Sequence, residues 1–243
     1  MKITSLITAG ILGAALASQA AIINWSNAVT TSGDTDVSTE GTSEYAYSLN
    51  GAGGTIALNG VDFTIGDEGA AGVFDNLTSS RNPNQGATTF SSTVAPWASL
   101  STNYKAVLQG GIFNGDDDTT YTLNGLTSGQ DYLVQVWITD PRVQASLERI
   151  ASFYGEDSNT STTAKVLDYA VGDEAGDFGQ YIIGTFNADA SSIDFLVEFG
   201  TSTTTNGGLQ MNAIQVRAVP EPSSFALLGG LLAFGAVMVR RRR

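Results

Sequence analysis

Short alternations of apolar and polar residues, separated by clusters of Gly, Ser, Thr, Asn and Asp, run through the chain from residue 21 to residue 218. In Ile193-Asp-Phe-Leu-Val-Glu-Phe199, the side chains of Ile193, Phe195, Val197 and Phe199 share one face while Asp194 and Glu198 point away. That period of two marks a half-buried β-strand. Asp131 to Thr139 has a different character. Tyr132, Val134, Val136 and Ile138 fall on one side, and Leu133, Gln135 and Trp137 on the other, so a central strand covered on both faces is predicted. Further strands are expected at 22–25, 45–49, 55–65, 121–123, 149–154, 181–186 and 208–217.

The turn signals order these strands. Asn59-Gly60 splits 55–65 into a hairpin, and Asn124-Gly125 predicts a second hairpin between 121–123 and the strand from Asp131. Within 208–217, Leu209 and Met211 alternate on one parity and Ile214 and Val216 on the other; a β-bulge near Asn212-Ala213 would produce that change. Helix is sparse, with two turns expected at Arg142 to Arg149 and one short turn within Val94 to Val107. Segments 26–44, 66–92 and 155–164 read as long surface loops. No repeat of fixed period is apparent. Roughly nine or ten short strands in one domain of this length predict an all-β, two-sheet sandwich.

The two ends have other patterns. Lys2 precedes an apolar run from Ile3 to Leu16, and Ser18-Gln19-Ala20 places small residues where a signal peptidase reads. Residues 1–20 are therefore expected to be an export signal, forming a helix and cleaved between Ala20 and Ala21. At the other end, Val219-Pro-Glu-Pro222 leads through two serines into an uncharged run from Phe225 to Val239, followed by Arg240, Arg241, Arg242 and Arg243. As a transmembrane helix, 225–239 spans about 22 Å, short of the ~30 Å hydrocarbon core. Snorkelling arginines extend its reach, and the segment suits a transient stop. The arginines place its far end in the cytoplasm. Pro220 and Pro222 hold the preceding peptide extended, a form that an enzyme's cleft accepts. A permanent anchor is the alternative.

This tripartite tail resembles the PEP-CTERM sorting signal of bacteria that make extracellular polysaccharide. The resemblance implies that an exosortase-type enzyme recognises Val219, Pro220, Glu221 and Pro222 while the span and the arginines hold the chain at the inner membrane. The chain then divides into an export signal (1–20), an exported domain (21–218) and a sorting signal (219–243), with the domain delivered to the cell surface or extracellular matrix. Within the domain, Gly208-Leu-Gln-Met-Asn-Ala-Ile-Gln-Val-Arg217 resembles the final strand of galactose-binding-like jelly rolls, among them malectin-like and other carbohydrate-binding modules. Tyr121 to Trp137 is similar to the preceding hairpin of those folds. This second resemblance implies a jelly roll and a polysaccharide ligand.

Composition narrows the chemistry. The chain holds 24 acidic and 11 basic residues and no His or Cys. Setting aside Lys2, Glu221 and the four terminal arginines leaves the domain 23 acidic against 6 basic residues. So negative a surface repels phosphate backbones and excludes nucleic acid as a partner. Without Cys there are no disulfides, and burial must hold the domain together. Without His or Cys, zinc sites built on those residues, Ser-His-Asp triads and Cys-His pairs cannot form. Asp116, Asp117 and Asp118 offer hard oxygen ligands for Ca²⁺, as does Asp173-Glu174-Ala-Gly-Asp177, although neither has EF-hand spacing and a solvated loop is the preferred reading of both. Trp97, which follows Pro96 in an expected loop, and Tyr104 are the candidate flat faces for a sugar ring. The scarce arginines are expected to pair with carboxylates and fix loops. The reading is a non-catalytic exported protein; a carboxylate-dependent carbohydrate-active enzyme and a calcium-dependent lectin are the alternatives.

Overall fold

The computed structural model describes residues 20–49, 53–66, 76–80, 90–113, 118–142, 149–160, 162–201 and 208–220. Fifteen strands lie among them. The first six are β1 (Asn24–Trp25), β2 (Val29–Thr30), β3 (Thr42–Leu49), β4 (Gly54–Leu58), β5 (Val61–Gly66) and β6 (Leu77–Ser79). The middle of the chain supplies β7 (Ile112–Phe113), β8 (Thr119–Asn124), β9 (Asp131–Ile138), β10 (Arg149–Phe153) and β11 (Lys165–Asp168). Last come β12 (Gln180–Asn187), β13 (Ser192–Thr201), β14 (Gln210–Met211) and β15 (Ala213–Val219). One helix, α1 (Thr102–Leu108), starts where the Ser101 hydroxyl accepts a hydrogen bond from the Tyr104 amide.

The strands form a sandwich. One sheet has the order β1-β12-β9-β15-β3-β5-β4, with β2 also on β12; the other has the order β11-β10-β13-β8-β6; β7 and β14 form a small third ladder. Pairing is antiparallel except between β3 and β5. Consecutive strands repeatedly change sheets, as from β8 to β9 and from β12 to β13. The inner faces meet in an apolar core built on one side from Tyr132, Val134, Val136 and Ile138 of β9, and on the other from Ile193, Phe195 and Val197 of β13. Trp25 packs edge-on against Phe153 and Phe195 there.

The larger sheet is also covered on its outer face. Trp97, Tyr104, Val107 and Leu108, from a 3₁₀ turn and α1, pack with Phe63, Ala213 and Trp137 in a second cluster. The two-sided pattern of β9 therefore reflects a strand sandwiched between two cores.

Several expectations need correction. Asn59 and Gly60 do make the tight turn of the β4–β5 hairpin, both at positive φ. Asn124-Gly125 does not close a hairpin: β8 pairs with β13 and β6, and β9 pairs with β12 and β15 in the opposite sheet. The same turn chemistry carries the chain from one sheet to the other, with Leu126 plugged into the core. The parity change at Asn212 is a strand break between β14 and β15, not a bulge. Its side chain accepts from the Thr139 amide and donates to the carbonyls of Leu108 and Gly110. Arg149 opens a strand, and the two turns expected before it fall at 143–148, outside the described residues. The span 94–107 holds a 3₁₀ turn and most of α1.

Candidate functional site

The ends of β9 define two ends of the sandwich. Asp131 stands at the lower end, with Asn187 of β12 and Val219 of β15 as partners. Ile138 stands at the upper end, opposite Gln180.

The C-terminal exit is at the lower end. β15 lies between β9 and β3, and Val219 pairs with Asp131 as its last residue. The Gln130 side chain donates to the Val219 carbonyl at 2.7 Å and to the Asp131 carbonyl at 2.9 Å. Two residues earlier on β15, the Arg217 guanidinium donates to the carbonyls of Thr39, Glu40 and Gly41. Burial lowers the pKa of Arg217 from its ordinary value, because no carboxylate offsets the loss of water. Arginine–carboxylate pairing was the expectation; here three backbone carbonyls serve instead. Pro220 follows Val219 directly and is exposed.

The N-terminal exit is at the same end. The Ala21 amide donates to Asp189 Oδ2 at 3.1 Å, and the Ile23 amide to the Gly155 carbonyl at 2.8 Å. β1 then runs antiparallel to β12 from Asn24, opposite Thr185. Each exit borders a cleft. One of about 340 Å³ is lined by Ala20, Ala21 and the carboxylates Glu156, Asp157, Asp189 and Asp194. The other, of about 360 Å³, is lined by Val219, Asp131, Leu133, Asn187 and Asn24, among others.

The upper end carries a buried charge cluster. Arg142 grips Asp140 bidentately, with both contacts at 2.7 Å, and Arg149 donates to the same carboxylate. Asp140 and Arg149 are 4% and 5% exposed, so each needs the other's charge. Arg149 also donates to Gln210 Oε1 at 3.1 Å and lies over the Tyr169 ring at 4.5 Å from its centroid. The Tyr169 hydroxyl donates to the Gln210 carbonyl and accepts from its amide, both at 2.9 Å. Burial pushes the Tyr169 phenol up to about 12, the Arg149 charge acting against that rise. For Arg142, the hydrogen bonds to Asp140 raise the pKa. The gap beside this cluster measures about 20 Å³. That is room for one water and too small for a sugar ring.

The residues proposed for sugar contact are elsewhere. Trp97 and Tyr104 are both 0% exposed. The Tyr104 hydroxyl donates to Asp36 and accepts from the Trp137 indole at 3.2 Å, and burial, with Asp36 beside it, raises its pKa well above the ordinary phenol value. Neither ring presents a face to a ligand; both pack the outer face of the larger sheet. Asp36 itself, in a stretch read as loop, accepts from the Ser32 and Gly33 amides and the Ser32 hydroxyl. The Gly33-Asp-Thr-Asp36 spacing was the available signal for that turn.

Asp116 and Asp117 lie outside the described residues. Asp118 accepts from the Phe199 amide at 3.2 Å. In the second acidic stretch, Asp177 accepts from the Glu174 amide at 2.9 Å, closing a turn on itself. Among the described residues, no three Asp or Glu side chains are gathered as a metal site. Residues 1–19 of the expected export signal, and Glu221 to Arg243 of the tail, fall outside the described residues. Among the described residues no helix is long and apolar enough to cross a membrane.

Residues 218–243 match the family described as the PEP-CTERM protein-sorting motif. This is a PEP-CTERM tail. It marks a protein exported through a membrane-anchored intermediate and sorted by an exosortase. The motif begins inside the fold, since Ala218 and Val219 are the last residues of β15. No curated protein matches the chain. Among solved structures, the chain is similar to the crystal structure of the plant receptor-like kinase ANX2 at 9% identity and a TM-score of 0.35, covering 74% of this chain and 49% of that one. The chain thus spans about half the length of that structure.

Proposed function

We propose that the chain is a non-catalytic structural protein of the cell surface or extracellular matrix, released there when an exosortase-type enzyme cuts at the PEP-CTERM tail. The sorting motif at 218–243 is the observation that carries this reading. In this reading a signal peptidase first removes residues 1–20, and the 225–239 span then holds the precursor in the membrane. Three of the described carboxylates hold structure together. Asp140 is paired with two arginines. Asp36 and Asp177 are taken up by backbone amides.

Retention of extracellular polysaccharide is the binding role that accompanies this reading, on the likeness of 208–217 and 121–137 to jelly-roll carbohydrate-binding modules. Trp97 and Tyr104 have no part in it. Calcium enters only as a loop-fixing ion near Asp118. A glycan array probed with the exported domain, with and without chelator, tests both points. Binding abolished by chelator establishes a calcium-dependent lectin, and release of reducing ends from a bound polysaccharide overturns the non-catalytic reading.

A further inference from the structure

Both chain ends leave the sandwich at its lower end, and we infer that this end faces the bilayer in the membrane-held precursor while the Asp140–Arg149 end is presented outward. The inference rests on the PEP-CTERM tail acting as a membrane stop.

Register fixes the placement. Ala21 bonds Asp189, just past the end of β12, and Val219 pairs with Asp131 at the start of β9. Three strand spacings separate β1 from β15 in the sheet order, so the two exits stand about 14 Å apart. Asp140, Arg149 and Gln210 follow or begin strands at the opposite end, about 25 Å away along the eight-residue strands β9 and β12.

The tether is shorter than the domain. Pro220 to Ser224 are five residues between the last paired strand position and the apolar span. Fully extended they reach about 18 Å, and the prolines favour that extension. Turning the upper end onto the bilayer requires Val219 to stand about 25 Å above the headgroups, beyond this reach. Surface attraction is not the cause of the orientation. Glu40, Asp131, Asp189 and Asp194 line clefts at the lower end and repel anionic headgroups within the ~8 Å Debye length. The peptide, anchored in a central strand, sets the geometry. The enzyme that cuts this tail then works against the rim formed by Gly41, Gln130, Asp131 and Asn187.

The chain contains no cysteine, so single thiols report position directly. Ala190→Cys lies on the exposed turn after β12 at the lower end, and Val171→Cys on the exposed turn before β12 at the upper end. The tail-bearing chain that signal cleavage leaves, Ala21 to Arg243, carrying a thiol-linked fluorophore at one site, is placed in phosphatidylethanolamine–phosphatidylglycerol vesicles containing a headgroup nitroxide lipid. The expected result is at least twofold stronger quenching at 190 than at 171, unchanged in high salt. Inserting twenty Gly-Ser residues between Pro222 and Ser223 is expected to shrink that ratio towards one. Equal or reversed quenching in chains that co-sediment with vesicles overturns the orientation alone. Failure to co-sediment overturns the membrane-stop reading as well.

Discussion

Asp140 faces two guanidinium groups in a site nearly closed to solvent. Replacing it with Ala leaves Arg149 buried without counter-charge, and such a loss costs about 3–5 kcal/mol. Urea unfolding of Asp140→Ala is expected to show a drop of that order; a change under 1 kcal/mol contradicts the cluster's structural role. Trp97 separates packing from recognition. Trp97→Ala is expected to cost about 3–5 kcal/mol as a cavity in the outer cluster, while any polysaccharide affinity of the folded variant stays unchanged in a pull-down. Lost affinity at full stability would restore the platform reading. The sequence could not distinguish these roles for Trp97. An indole next to Pro reads as exposed when the helix that covers it, α1, is only seven residues long and carries Lys105 and Asn103. That the scarce arginines would pair with carboxylates was legible from composition, and Arg142 and Arg149 do so with Asp140.

β15 links the fold to its processing. Gly41 has a φ of 71°, and a Cβ there would lie 2.1 Å from the Ala218 carbonyl oxygen. Gly41→Ala is expected to push β3 and β15 apart at the lower end, with a stability loss of about 1–3 kcal/mol in backbone strain. Amide exchange at 216–219 should then rise well above that of β9, and uniform exchange would show that the rim relaxes without opening β15. Strands such as β13 were legible because alternate residues are buried, and β9 because both of its faces are covered. What escaped was pairing. Asn124-Gly125 has the same local chemistry as Asn59-Gly60, yet a turn of that kind does not specify whether the chain folds back in its own sheet or crosses to the next. Asn212 shows a similar limit: its side chain bonds backbone groups 73 to 104 positions away, a distance at which local alternation carries no information.

At the scale of the whole domain, stability should fall in alkali. Burial raises the phenols of Tyr45, Tyr104 and Tyr169 above the ordinary value of 10.0, Tyr169 to about 12. The unfolded chain releases those protons near pH 10 while the folded chain retains them. The stabilisation is therefore complete below pH 10 and declines as pH rises from there towards the folded-state values. Each phenol contributes a slope of about 1.4 kcal/mol per pH unit, so three should give roughly 4. Unfolding free energies between pH 9 and 11.5 check this, and a flat profile would show that water reaches these rings. The sandwich, the two-sided central strand and the sorting tail could all be read from residue pattern, since each depends on local period or order. The common end from which both termini leave could not, because it depends on which strands neighbour one another.

The account turns on whether the tail is cut. Intact-mass measurement of the protein from the envelope and medium of the cells that make it tests this directly. The account predicts a mature chain that begins at Ala21 and ends before Phe225, without the apolar span and its arginines. A mature chain still ending at Arg243 would contradict it.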